Sequence, residues 1–383
     1  MAEYEALLKK TLEKIAEDTR LLTYNVEVKK ISSDGAHFLS VIYEGTISSP
    51  NKQDIKLFIK TATLPQSMRN HIPLDLIYEA EVNAYTKMKT AFEELQTKYE
   101  ISDANKFNFA QYYTSSLEVN KEFIILEDLV SKGFSLYDRF KPVNWEYASR
   151  VVEELAKFHA LSLAFKKEYP EVYSAVTKEE QHETLLDKMY DLTTTSFKLM
   201  SSSCAKKIPE ELELRFEKFT KAQVEKETFM KYYDASKWGF IIHGDFRASN
   251  VMFKRQVIDY QAIRMGSPTI DLLYFIYCGT DAEFRKRHLK QILDHYYDTL
   301  RNFLEKLSMS PEEYFTREEF YEDYKERHNF GLFTAIMQLP AILTENHEEN
   351  SFQSFSKDNK AFNERFLDIL NELVNKINSL CCA

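Results

Sequence analysis

Residues 242–253 read IHGDFRASNVMF, from Ile242 to Phe253. Apolar runs flank the stretch, FIIH before it and NVMFK after it, and both have the composition of buried strands. Its polar residues are gathered in the bend between them. The spacing is His243-x-Asp245, then Asn250 five positions on, then Asp259 nine further, after a third β-like run, QVIDY. Phosphoryl transfer from a nucleotide calls for a carboxylate to orient the attacking hydroxyl and accept its proton. It also calls for oxygen ligands for a Mg²⁺ that bridges the phosphates. In this spacing Asp245 is the candidate base, and Asn250 and Asp259 are the candidate metal ligands. A plain hairpin with Asp245 and Asn250 as turn residues and His243 as a hydrogen-bonded core imidazole uses the same letters. The rest of the chain decides between the two.

The upstream half supplies what a nucleotide site lacks so far. From Val26 to Thr63 the β-rich runs VEVKKI, HFLSVIYEGTI and DIKLFIKTA alternate with turn-forming segments, which predicts three antiparallel strands. Lys60 ends the third, and alternation places it on the face opposite Leu57. A helix expected over residues 76–99 carries Ile77, Tyr85 and Met88 on one stripe, with Glu81 on that stripe as well. A carboxylate there needs a partner, and a strand lysine held by a helix glutamate is the arrangement that positions nucleotide phosphates in kinases. The turn from Ser33 to Ser40, with the single glycine Gly35, lies where a nucleotide loop belongs, which makes Gly35 and Ser40 candidate phosphate contacts. FIILEDL (123–129) is a further short strand, and the backbone of Glu127 and Leu129 is placed to meet an adenine edge. Beyond it the periodicity turns helical, as in WEYASRVVEELAKFHALSLAF (145–165). The lobe boundary therefore falls at 128–132, giving an N-terminal lobe of residues 1–129 and a C-terminal lobe of residues 130–383.

Composition agrees with a helix-rich α+β chain. It has 383 residues, 29% of them charged, with 8 glycines and 9 prolines, too few for an all-β protein rich in tight turns. A formal charge of −10 opposes a nucleic-acid surface. The N-terminus has no signal-peptide core, and the most apolar stretch, GLFTAIMQLPAIL (331–343), is interrupted by Gln338 and Pro340. A soluble, cytoplasmic protein without stable membrane insertion is expected. Cys204, Cys278, Cys381 and Cys382 form no zinc-ligand spacing and are read as structural thiols, the terminal pair in a frayed tail. The lysine- and glutamate-rich segment 166–235 has helical patches but no assignable chemistry. Ser310-Pro311-Glu312-Glu313 has the form of a capped helix start.

Only eleven residues separate Asp259 from Asp271, too few for an activation loop with a peptide-docking ledge. This disfavours a protein kinase. Asp271, placed after Pro268 at a helix start, is expected to brace the catalytic loop together with His243.

These segments, LFIK (57–60), EVNAY (81–85), LEDL (126–129), LAKFHA (155–160), HGDFRASNVMF (243–253), DYQAIRMGSP (259–268) and DLLYF (271–275), resemble the ecdysteroid kinase-like proteins. That family is related to choline kinase and the aminoglycoside phosphotransferases within the bilobal protein-kinase-like fold. The resemblance covers residues 26–343. It implies ATP and Mg²⁺, with Asp245 as base, Asn250 and Asp259 as metal ligands and Lys60 as phosphate ligand. It also implies a small hydrophobic alcohol as acceptor, such as an ecdysteroid or a xenobiotic alcohol. The family usually reads HGDLWxNN; here Phe246-Arg247 replaces Leu-Trp and Ser249 replaces the first Asn, which puts the acceptor fit near Arg247 in question.

Two other readings stay open. A choline- or aminoglycoside-type kinase of a cationic alcohol needs acidic or aromatic residues around the acceptor, and Glu345, Glu348 and Glu349 keep it alive. A catalytically silent nucleotide-binding interaction module would have no need of Lys60, Asp245, Asn250 and Asp259 together. The acceptor hydroxyl, the role of Arg247 and the oligomeric state have no signature in the sequence.

Overall fold

The computed structural model describes residues 2–31, 40–62, 69, 74–178, 182–234, 237–343 and 360–380. Gly35, Glu345, Glu348, Glu349, Cys381 and Cys382 lie outside the described residues, and so do the expectations resting on them.

Five strands form one antiparallel sheet in the order β1-β2-β3-β5-β4. They are β1 (Asn25–Ile31), β2 (Val41–Ser48), β3 (Ile55–Thr61), β4 (Tyr112–Ser116) and β5 (Phe123–Glu127). The three predicted strands and FIILE are all present. Tyr112–Ser116 is an addition, an edge strand with every residue half-buried and so without the alternation that marks a strand in sequence. In β3, Leu57 and Ile59 point to one face, where Leu8, Leu12 and Ile15 of the Ala2–Asp18 helix cover them. Lys60 belongs to the other face, paired across the sheet with Ile42 on β2 and Ile124 on β5. The two-residue period of a strand thus leaves a lysine inside, 4% exposed, on the side away from the N-terminal helix.

The predicted 76–99 helix runs from Leu74 to Lys98, but Ala84–Met88 is a π turn within it. Such a turn inserts a residue and rotates the helix beyond it. Tyr85, inside it, sets its ring edge-on to Tyr260 at 5.3 Å.

The larger remainder is helical and shares one continuous apolar core. Its long elements are Trp145–Glu168, His182–Ala205, Pro268–Gly279, Ala282–Lys306, Phe330–Ile342 and Lys360–Leu380. Among the described residues, segment 166–235 is helical, with four helices between Pro170 and Tyr233. The expected start at Ser310 opens a helix of only four residues, Pro311–Tyr314, and the Ser310 side chain makes no cap bond. The reciprocal capping box forms six residues later, between Thr316 and Glu319 of the Arg317–Glu326 helix. Two small β pairs interrupt the helices: β6 (Phe240–Ile242) with β9 (Arg264–Gly266), and β7 (Val251–Met252) with β8 (Gln256–Val257). The fold is therefore bilobal, α+β and kinase-like, with a small antiparallel sheet ahead of a helical body. Among the described residues no helix is long and apolar enough to cross a membrane.

Candidate active site

Lys60 is the centre of the first group of site residues. Its ammonium donates to Glu81 at 2.7 Å, to Asp259 at 2.5 Å and to Gln261 at 3.1 Å. Burial opposes the charge, but the Asp259 and Glu81 carboxylates outweigh it and hold Lys60 protonated, well above the usual lysine range. Burial and the neighbouring Asp259 raise the Glu81 pKa against the pull of Lys60. Two carboxylates thus share one ammonium in a place with little water. Ser40, the one residue of the predicted 33–40 loop that the structure describes, lies 3.2 Å from the Tyr78 hydroxyl on the Glu81 helix.

The second group lies in the loop after β6. Gly244 has φ +78°, and a Cβ there would collide with the Ala262 carbonyl and the Arg264 guanidinium. Only glycine fits both the backbone and the space. Asp271, fully buried near the start of the Pro268–Gly279 helix, accepts the backbone N–H of His243 at 2.7 Å and of Gly244 at 2.9 Å. Burial would raise its pKa; hydrogen bonds from His159 and the Gly244 amide outweigh this and hold it below the usual carboxylate range. His243 donates through Nε2 to the Ile258 carbonyl at 3.0 Å and accepts through Nδ1 from the Asp245 amide at 3.4 Å. The loop is therefore tied at both ends before any ligand arrives.

Asp245 has its two oxygens in different company. Oδ1 accepts from the Tyr274 hydroxyl at 2.6 Å, while Oδ2 receives the Asn250 amide at 3.1 Å and faces Arg247 Nε at 3.6 Å. The Asn250 amide nitrogen also bonds the Asp245 carbonyl at 2.9 Å, so its amide oxygen is the atom left for a ligand. The β7–β8 hairpin and a 3.0 Å bond from the Ile258 amide to the Asn250 carbonyl then carry the chain from Asn250 to Asp259. Asp259 itself adopts a left-handed backbone, φ 68° and ψ 59°.

Glu127 and Leu129 stand apart from these groups, at the end of β5. The Glu127 carboxylate is engaged by the Gln111 amide at 2.7 Å and by Lys132. The Leu129 carbonyl closes the next turn by accepting from Lys132 and Phe134. Neither side chain reaches the Lys60 cluster through a bond of its own.

Sequence reasoning missed Tyr274, Gln261 and His159. Tyr274 reads as one more apolar letter in an almost wholly buried helix, and only its one-turn spacing from Asp271 hints at the catalytic loop. His159 lies between Asp271 at 3.2 Å and Tyr296 at 2.6 Å. Burial lowers its pKa against the pull of Asp271.

The donors here suit a hard divalent cation: an Asn oxygen and an Asp carboxylate, next to a buried cluster with one more negative group than positive. Mg²⁺ typically takes one or two carboxylates and completes its shell with phosphates and water. Among the described residues no group of three or more His, Cys, Asp or Glu is placed to hold a metal by itself. Asn250 and Asp259 fit a metal that arrives with a nucleotide.

An uncharacterized kinase-like protein of Caenorhabditis elegans is 29% identical to this chain over 105 residues, 26% of each sequence. The match thus spans about a quarter of the length of that curated relative. The model of the ecdysteroid kinase-like family matches residues 34–309, which include Lys60, Glu81, the loop 243–250, Asp259 and Asp271. The chain belongs to the ecdysteroid kinase-like family.

Proposed function

We propose that the protein is an ATP-dependent small-molecule kinase that moves the γ-phosphate to a hydroxyl of a hydrophobic alcohol, with an ecdysteroid or a xenobiotic alcohol as the model acceptor. The observation that carries this reading is the contact of Lys60 with both Glu81 and Asp259, on the flank of a loop that presents Asp245 and Asn250. ATP binds between residues 1–129 and 130–383, with Gly35, Ser40 and Lys60 toward the phosphates and the backbone of Glu127 and Leu129 toward the adenine. Lys60 exchanges one of its present contacts for phosphate oxygens while Glu81 keeps it in place. When bound, Mg²⁺ on Asn250 and Asp259 neutralises charge on the β- and γ-phosphates.

Asp245 receives the acceptor hydroxyl at Oδ2, where the Asn250 bond of 3.1 Å is looser than the 2.6 Å bond of Tyr274 to Oδ1 and leaves a lone pair for it. The hydroxyl oxygen forms a bond to the γ-phosphorus, the bond from that phosphorus to the β,γ-bridging oxygen breaks with its electrons leaving on ADP, and the proton passes to Asp245. Catalysis is positioning and charge stabilisation on a pre-organised loop.

A hydrophobic acceptor is compatible with the aromatic-rich interior of the helical body, whose rings pack as core. Phe197 stacks on Phe333 of the Phe330–Ile342 helix at 4.8 Å, and Tyr232 and Phe330 extend the same cluster. A cationic alcohol is the weaker reading, because Arg247 puts a positive charge beside the base. The buried free thiols of Cys204 and Cys278 are in keeping with a cytoplasmic location.

The test is Asp245→Asn, assayed with labelled ATP against pools of sterols, plant metabolites and amino alcohols. Transfer should be lost while Mg-ATP affinity stays within about threefold, since the carboxylate serves the hydroxyl rather than the nucleotide. Unchanged turnover would remove Asp245 from the mechanism.

A further inference from the structure

Arg247 has an unusual position for a charged side chain. It sits two residues after Asp245, its side chain is 15% exposed, and its Nε is buried with no hydrogen-bond partner. A buried guanidinium N–H without an acceptor is costly; Arg264, Arg285 and Arg327 each carry one as well, and Arg247 is distinguished from them by its place beside Asp245. Its nearest acidic atom, Asp245 Oδ2 at 3.6 Å, is beyond hydrogen-bonding distance. The Asn250 amide already donates to that oxygen, so Arg247 is not needed to hold Asp245 in place.

The place Arg247 faces is set by the reading of Asp245 as base, on which this inference rests. An acceptor hydroxyl on Oδ2 lies about 2.7 Å from it. The phosphorus under attack lies roughly 3–3.5 Å beyond that oxygen. Its non-bridging oxygens spread around it, and with Nε 3.6 Å from Oδ2 the guanidinium meets them through its outer nitrogens when the side chain leans toward the phosphorus. Charge in this reaction gathers on those oxygens as the bridging bond breaks. The planar fork of an arginine, always charged, matches such oxygens better than a lysine does.

We propose that Arg247 is a catalytic residue whose guanidinium binds the phosphoryl group in transit, supplying from within the chain the cation that some nucleotide enzymes take from a partner. The neighbours agree with this assignment. Tyr274 and Cys278, both buried on the Pro268–Gly279 helix, are among its electrostatic neighbours. Apart from Asp245 and the proposed metal ligand Asp259, no carboxylate is prominent in the electrostatic surroundings of Arg247. Burial works against its charge, and Asp245 more than restores it. Arg247 is thus a cation kept charged and short of acceptors beside the oxygen that takes the proton.

The test needs no knowledge of the acceptor. Mg-ADP affinity is measured by calorimetry without and with aluminium fluoride, whose planar fluoride occupies the position of the phosphoryl group in transit. In the native protein, fluoride should tighten ADP binding by at least tenfold. Arg247→Met should bind Mg-ADP within about twofold of native and lose most of the tightening. Arg247→Lys, which keeps the charge but not the fork, should recover part of it. A role confined to folding would weaken both ligand states alike. If Arg247→Met and Arg247→Lys keep the full gain, the proposal is overturned while the kinase reading stands. Native protein that binds Mg-ADP without any fluoride gain overturns it too. Native protein that binds no Mg-ADP at all brings down the kinase reading and this proposal with it.

Discussion

Lys60 and Asp259 are 199 positions apart in the chain and 2.5 Å apart in space. With Glu81 and Gln261 the aspartate occupies all three hydrogens of the ammonium, so a phosphate can reach Lys60 only by replacing one of these acceptors. Gln261, at 3.1 Å and uncharged, is the cheapest to displace.

Replacing Lys60 with Met leaves two buried carboxylates without their cation. The loss should be about 3–5 kcal/mol of folding stability, the usual result of removing one member of a buried ion pair. Urea unfolding of the two proteins measures it, and a loss below about 1 kcal/mol would mean that the contact is not maintained in solution.

Tyr274→Phe removes a single hydrogen bond from Asp245 Oδ1 and nothing else of volume. A bond to a charged group contributes about 1.5–3 kcal/mol, so γ-phosphate transfer should fall by roughly 10- to 100-fold with Mg-ATP affinity unchanged. Single-turnover transfer rates report it; a rate equal to native would show that Asn250 alone positions Asp245.

Asp271→Ala strands the backbone amides of His243 and Gly244 together with His159. Each buried donor left unpaired costs about 1–3 kcal/mol, so the variant should lose at least about 3 kcal/mol and show faster amide exchange in residues 243–250. Native-like exchange there would contradict the bracing role of Asp271.

Elements with a strong local signature were legible in the sequence. The three first strands, the buried Lys60 and Glu81, and the Asp271 brace follow from periodicity and from polar letters in apolar runs. Tyr112–Ser116 was not, because an edge strand half-exposed along its length has no alternation to read. The sequence favours a capping box at Ser310 over Thr316 only weakly, because both sites carry the same Ser/Thr-x-x-Glu pattern. Tertiary packing chose between them: Glu319 reaches back to the Thr316 amide at 2.9 Å, whereas Ser310 makes no side-chain cap. Tyr274 and His159 were invisible for a different reason, since a hydroxyl or imidazole in a buried helix announces its partner only in three dimensions.

A pH dependence arises away from the site. His295 of the Ala282–Lys306 helix bonds Glu153 of the Trp145–Glu168 helix at 3.0 Å, with Arg255 also against Glu153 and Asp298 near the imidazole. The Glu153 bond raises the His295 pKa and the His295 bond lowers that of Glu153. A group whose folded pKa is raised stabilises the fold below its unfolded pKa, about 6.5, and that contribution fades as pH rises through the folded value. Melting temperatures from pH 5.5 to 8.5 should therefore fall more steeply for the native protein than for His295→Gln. Parallel curves would exclude the coupling.

The left-handed backbone of Asp259 joins durability and activity in one residue. A side chain in that conformation carries about 1–2 kcal/mol of strain that glycine does not. Asp259→Gly would relieve that strain but would take from the buried Lys60 its shortest charge-assisted hydrogen bond, so the ion pair holds the strained backbone in place. Selection for heat resistance alone would therefore retain Asp259 whatever its chemistry, and only an assay of phosphate transfer separates its part in the fold from its proposed part at the metal.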